Sequence, residues 1–369
     1  MCSDVQDVGL RRIGEWEVGL SEESKPEGLM IEVTTRCNYE CSHCFRREMR
    51  EGFRDMELDV FYGVIEQARE IGLRYITLSG WGEPLVHPEI GEIVSKCKES
   101  GFKLTINTNG SLLGDHVDLL VRSEVERVVV SVDSAEPELH RELRGGKLGD
   151  ITEALIELKE LKLRKGARFP MVYLQLTLSE RNLEGIEKVV DYAMEVGAAR
   201  VVISNVIPLS SSQKKIEPPE GGRVEEVREK ISKRGSWIDL GVSFPSLKPS
   251  VERKCPFILN RFAYIRSDGR VSPCLYYAHK WKNSLLGVER EIRAICFGKL
   301  PEDGLLEIWR SPSYSSFRCR TYFLQLPSCL DCNLAPYCSY TKSNEMDCWG
   351  NSPTCAHCPF LHGLASCPL

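Results

Sequence analysis

Nothing in this chain offers a membrane a crossing segment, because no run approaches the ~20 consecutive apolar residues that a bilayer-spanning helix needs. No signal peptide is expected either, since Met1 to Gly9 carries acidic residues and no Lys or Arg. Positive charge is not in excess. The 48 Lys and Arg against 53 Asp and Glu leave a net charge of −5, which argues against a dedicated nucleic-acid binder. No internal repeat and no low-complexity tract is present. The expected setting is cytoplasmic, with no membrane and no nucleic acid as partner.

What the chain has in abundance is cysteine, 16 in 369 residues. With nothing directing the chain outward, metal or redox chemistry is the natural reading, and disulfide staples are the alternative for the C-terminal set. Cys37, Cys41 and Cys44 form one knot, and eleven more lie between Cys255 and Cys367. Only Cys2 and Cys97 stand apart. Cys97 falls on an apolar helical face with Ile90, Ile93 and Val94, so it reads as a core residue.

Between residues 29 and 207 short β-rich runs alternate with amphipathic helical patterns. The strands are expected at Leu29–Thr34, Tyr75–Leu78, Lys103–Asn107, Arg127–Val132, Val172–Leu178 and Arg200–Asn205. This is the pattern of a parallel sheet with crossover helices, an α/β fold. Six strand–helix repeats are too few to close an eight-stranded barrel, so an open (βα)6 partial barrel is expected, with working residues at the C-terminal strand ends. The domains read as an extension over 1–28, the barrel over 29–207, a polar linker over 208–254, and a cysteine-rich domain over 255–369. Small domains of that last kind commonly replace a large core with metal sites.

The loop Cys37-Asn-Tyr-Glu-Cys41-Ser-His-Cys44 follows the first strand directly. Three thiolates at that spacing suit an iron–sulfur cluster or zinc. A count of three leaves one metal corner open, as a catalytic site requires. A zinc knuckle with a distant fourth ligand, or with His43 in that place, is the alternative.

The loop resembles the hallmark of the radical S-adenosylmethionine (SAM) superfamily. The resemblance implies a [4Fe–4S] cluster on Cys37, Cys41 and Cys44, with SAM at the open iron. It also implies one-electron cleavage of SAM to a 5′-deoxyadenosyl radical that abstracts hydrogen from a substrate. Ser79-Gly80-Trp81-Gly82-Glu83-Pro84 is similar to the family's Gly-Gly-Glu-Pro segment, which assigns Gly82 and Glu83 to the methionine amine. By the same likeness Asn109, Ser131 and Asp133 are candidate ribose or carboxylate contacts, and Arg144 meets the methionine carboxylate. Thr177 and Asn205, at the ends of strands five and six, are candidate nucleoside contacts. A turn or cap role stays open for Asn109 and Asn205. His43 departs from the family, many members of which carry an aromatic residue before the third cysteine.

Toward the C-terminus, Cys255-x13-Gly269-x4-Cys274 and Cys329-x2-Cys332-x5-Cys338 resemble the SPASM module, which carries auxiliary iron–sulfur clusters. Residues Phe262 to Val271 read as a hairpin turning at Asp268-Gly269. The likeness implies up to two auxiliary clusters. One would use Cys255, Cys274 and Cys348, with Cys319 as a further candidate. The other would use Cys329, Cys332 and Cys338 with Cys355 or Cys358. A zinc ribbon on Cys329, Cys332, Cys355 and Cys358 is the competing reading. Cys296 and Cys367 have no place in either scheme.

The tail Cys348-Trp-Gly-Asn-Ser-Pro-Thr-Cys355-Ala-His-Cys358-Pro, with Gly80-Trp-Gly-Glu-Pro, looks most like the maturases associated with tungsten-containing aldehyde oxidoreductases. That implies a pterin-cofactor, protein or peptide substrate and a reducing partner such as ferredoxin or flavodoxin. Two alternatives stand beside it. One is a SPASM enzyme that crosslinks ribosomal peptides; the other is a non-catalytic electron carrier, which would need neither Glu83 nor Arg144.

Overall fold

The computed structural model describes residues 10–13, 15–19, 24–49, 51–209, 218–219, 221–233, 241–246 and 248–369. An antiparallel hairpin, β1 (Leu10–Ile13) and β2 (Trp16–Gly19), comes first. Six parallel strands follow in chain order: β3 (Gly28–Ile31), β4 (Tyr75–Leu78), β5 (Lys103–Thr108), β6 (Arg127–Ser131), β7 (Met171–Leu178) and β8 (Arg200–Asn205). These are the six strands expected from the alternation, and helices cross over between them. Their apolar stripes face the sheet: α1 (Leu58–Glu70) buries Phe61, Val64, Ile65 and Ala68, and α2 (Ile90–Glu99) buries Ile90, Ile93, Val94 and Cys97. After α3 (Leu113–Arg122) and α4 (Pro137–Arg144), α5 (Leu148–Lys165) buries Ile151, Ala154, Leu155 and Leu158.

β7 shows why the pattern is legible. Val172, Leu174, Leu176 and Leu178 are buried against the helices, while Tyr173, Gln175 and Thr177 point inward and are half-buried. A parallel strand packed on both faces would read as an unbroken apolar run. Polar residues at alternate positions record an inner face that lines a cavity.

The sheet does not close into a barrel. On one side β8 pairs with β9 (Gly241–Ser243), and on the other β3 pairs with β10 (Phe262–Ile265), giving a ten-stranded sheet. The expected hairpin is present as β10 and β11 (Arg270–Ser272), and Gly269 takes φ +83° in its turn. β12 (Trp281–Leu285) and β13 (Val288–Ile292) form a separate ribbon, and β14 (Gly298–Lys299) extends the sheet beyond β11. The segment read as a linker holds a helix (Gly221–Lys233) and the edge strand β9. Three residues, one of them glycine, carry too short a pattern to announce a strand.

The C-terminal domain is therefore welded to the barrel along β3. Phe262 to Ile265 lie in register beside Gly28 to Ile31. Glu32, buried at the seam, accepts hydrogen bonds from the Trp81 amide at 3.0 Å and the Tyr264 hydroxyl at 2.7 Å, and contacts His279 Nε2 at 2.9 Å. A buried carboxylate without such partners would cost several kcal/mol, so its partners fix the domains' relative placement.

Candidate active site

Cys37, Cys41 and Cys44 sit on a loop leaving β3, at the C-terminal edge of the sheet. Two other segments hold that loop. The Ser42 amide and hydroxyl both donate to the Leu143 carbonyl at 2.9 Å, tying it to the end of α4. The Glu83 amide donates to the Arg36 carbonyl at 2.8 Å, tying it to the turn after β4. Gly82 makes that approach possible. A Cβ there would stand 2.3 Å from the Thr34 oxygen and 2.5 Å from the Arg36 oxygen, both backbone atoms.

The three thiols ring one cavity with Gly82, Glu83, Asn109, Ser131, Arg144, Thr177 and Asn205. Among the described residues no three His, Cys, Asp or Glu side chains converge on a single-ion point. Cys37, Cys41 and Cys44 all line the cavity wall. Burial raises the pKa of all three, Cys41 to about 12, so iron binding must displace thiol protons. The donor set fits the implied groups. Soft sulfurs occupy one wall, and at the strand ends Asn107 Oδ1 and Asn205 Oδ1 are buried acceptors without a partner.

Glu83 is buried and already accepts from the Thr108 hydroxyl (2.7 Å), the Asn109 amide (2.5 Å) and the Leu85 amide (3.1 Å). Burial nevertheless outweighs these bonds and the nearby Arg144, raising its pKa to about 7. Among the described residues no cation forms an ion pair with it. Asn109 braces the cysteine loop: its amide donates to Asn38 at 2.9 Å and approaches Cys37 Sγ at 3.7 Å.

Asp133, expected to touch ligand, is absent from the cavity wall. It lies behind Arg144, whose guanidinium grips it through Nη2 at 3.0 Å and Nε at 2.8 Å, and it also accepts from the Thr177 amide at 2.8 Å. Arg144 Nη1 faces Cys41 Sγ at 4.0 Å. His43, the departure in the loop, lines the cavity with Nε2 3.7 Å from Asp133. Its pKa falls to about 4 because burial outweighs the pull of Asp133, so the ring is neutral near pH 7.

The sequence reading missed several wall residues. Ser79, Asn107, Gln175 and Ser204 are inward-facing or strand-end polar groups, detectable as polar interruptions in β-rich runs. Leu275, Phe360, Ser366 and Pro368 come from the C-terminal domain and carry no sequence signal. An aromatic cluster joins the two domains here: Phe45 stacks on Trp281 at 4.3 Å, and Trp81 donates through Nε1 to the Leu275 carbonyl at 3.1 Å.

The C-terminal cysteines gather differently from the partition that the SPASM resemblance implies. Cys329, with its pKa raised to about 12 by burial, has Cys348, Cys332 and Cys338 as neighbours. Cys355 and Cys358 lie with Cys255 and Cys274. Cys348 returns to Cys329 because Asp347 organises a turn, accepting from the Trp349 amide at 2.9 Å and the Thr354 hydroxyl at 2.6 Å. Cys319 is buried in a helix (Pro312–Tyr322), and Cys296 is exposed, its thiol donating to the Gly298 carbonyl at 3.3 Å.

Two family profiles match the chain: the radical SAM superfamily over residues 31–203, and the iron–sulfur cluster-binding SPASM domain over 255–333. A tungsten-containing aldehyde ferredoxin oxidoreductase cofactor-modifying protein from Pyrococcus furiosus is 32% identical over 349 residues, covering 92% of this chain and 97% of that protein. A PqqA peptide cyclase from Granulibacter bethesdensis is 25% identical, covering 79% and 76%. Among solved structures, Streptococcus suis SuiB bound to S-adenosylmethionine superposes with a TM-score of 0.62 at 21% identity, covering 85% of this chain and 72% of that one. Among the described residues no helix is long and apolar enough to cross a membrane.

Proposed function

The chain belongs to the radical SAM superfamily and carries a SPASM domain, and from that premise we propose that it is a maturase acting on a tungsten-containing oxidoreductase or its cofactor. Its cofactors are a [4Fe–4S] cluster and SAM, with auxiliary iron–sulfur centres in the C-terminal domain. The observation that carries the reading is the 32% identity to the Pyrococcus protein across nearly the whole of both chains. When bound, the cluster supplies one electron for reductive cleavage of the SAM sulfonium, and with it a hydrogen-abstracting radical.

The chain's own residues orient and shield that chemistry. Cys37, Cys41 and Cys44 are the proposed cluster ligands. Glu83 would hold the SAM ammonium: a buried carboxyl with pKa about 7 gains most from a cation, because the cation restores its charged form. Arg144 holds a positive charge beside Cys41, and Asp133 keeps its guanidinium oriented. Asn107 and Asn205 offer free acceptors to the nucleoside. Leu275 and Phe360 cover the cavity with apolar surface, which keeps water from a radical.

The reduced protein, incubated anaerobically with SAM, should change the mass or pterin content of a tungsten oxidoreductase produced without it. An unchanged oxidoreductase, together with modification of a short peptide encoded beside this chain's gene, would replace this reading with peptide crosslinking.

A further inference from the structure

Residues Ser366 to Pro368 run between the two domains beside the site. On one side of Cys367, the Ser366 amide donates to Ser204 Oγ at 3.0 Å and its hydroxyl to the Ile203 carbonyl at 2.7 Å. On the other, the Pro368 carbonyl accepts from Asn107 Nδ2 at 2.9 Å. Ser366 and Pro368 thereby line the active-site cavity. Cys367 faces the other way and packs, with Cys255 and Cys274, against the apolar patch of Phe257, Phe262 and Tyr264. The SPASM match ends at residue 333, well short of this cysteine.

Five thiols therefore surround the inner auxiliary site, and a four-iron cube has only four corners. Cys255, Cys274 and Cys358 neighbour both remaining candidates, Cys355 and Cys367. Cys355 has a polar partner of its own in the Thr321 hydroxyl and packs in the main apolar core, against which Cys255 and Cys274 also lie, whereas Cys367 meets those two cysteines at a second, smaller apolar cluster. We propose that Cys367 is the fourth iron ligand of the site formed by Cys255, Cys274 and Cys358, so that this cluster anchors the tail that walls the SAM cavity. The inference rests on the auxiliary-cluster reading of the C-terminal domain. Its consequence is direct: loss of iron from the auxiliary site releases Ser366 and Pro368 from the cavity wall.

The test uses anaerobically reconstituted full-length protein and the variants Cys367→Ala and Cys355→Ala. The wild type is expected to hold about twelve irons as three four-iron clusters. Cys355→Ala should keep that count. Cys367→Ala should lose iron from one cluster only, show a new three-iron EPR signal, and bind S-adenosylhomocysteine more weakly. Full iron and an unchanged spectrum in Cys367→Ala would overturn the assignment. Should that variant not fold, alkylation of the wild type decides: Cys367 must resist iodoacetamide until a chelator strips the iron, and labelling of the loaded protein would refute the ligation. A wild type holding only about four irons would instead defeat the auxiliary-cluster reading itself.

Discussion

Replacing Glu83 with glutamine should abolish a proton that the protein otherwise releases when SAM or S-adenosylhomocysteine binds. The buried carboxyl has its pKa raised from 4.5 to about 7 by burial. At ~1.4 kcal/mol per pH unit, that rise makes the charged form about 3 kcal/mol more costly inside the cavity than in water. At about pH 6 the free site is therefore roughly nine-tenths protonated. The amino-acid ammonium brought beside it favours the carboxylate, lowers the pKa, and expels close to one proton. The sign follows: affinity should rise with pH by up to about tenfold per unit below pH 7 and level off above it. Calorimetric titration of reconstituted protein with S-adenosylhomocysteine, in two buffers of different ionisation enthalpy, reads the proton directly. Wild type should show buffer-dependent heat near pH 6 and little near pH 8, and Glu83→Gln none at either. Buffer-independent heat in the wild type would refute the placement of the ammonium at Glu83.

Other perturbations follow from the same contacts. Gly82→Ala forces a Cβ to within 2.3 Å of a backbone oxygen, so it should cost ~1–3 kcal/mol and lower the iron content of the Cys37–Cys44 loop, measurable by thermal unfolding and iron analysis. Arg144→Leu strands Asp133, which is 1% exposed, and should cost ~3–5 kcal/mol in denaturant unfolding; adding Asp133→Leu should restore most of the loss. His279 has its pKa raised: burial lowers it, but the hydrogen bonds it donates to the Glu32 and Glu51 carboxylates together prevail. A raised base stabilises fully below its unfolded value of 6.5, and that support fades as pH climbs through the folded value. Stability should therefore decline above pH 6.5 in the wild type, with a shallower slope in Glu32→Gln.

The barrel was legible because its strands and helices carry two distinct periods, and each helix stripe named above lies against the sheet. The cysteine loop was legible for a different reason, since three thiols at short spacing have few structural uses. The SPASM resemblance misplaced a ligand where the chain doubles back. Cys348 follows Cys338 in sequence order, as a ligand of the other group would, yet the Asp347 turn folds it onto Cys329. Asp133 sits at a strand end like its neighbours, but its partner Arg144 comes from a helix eleven residues later and draws it behind the cavity wall. Ser366 and Pro368 had no signal at all, because their place depends on hydrogen bonds to β5 and β8 that only the assembled fold provides. His43 gains its reason from the structure: a ring held neutral beside Asp133 fills the cavity wall without adding charge next to the cysteines.

The central claim is that Cys37, Cys41 and Cys44 form a three-ligand site that activates SAM. Anaerobic incubation of the reconstituted protein with dithionite and SAM, followed by chromatographic assay of the nucleoside, tests it most directly. 5′-Deoxyadenosine and methionine should form in the wild type and in a Cys329→Ala variant, and should vanish in a Cys41→Ala variant that retains its auxiliary iron. Equal 5′-deoxyadenosine from Cys41→Ala, or none from a fully iron-loaded wild type, would contradict the account.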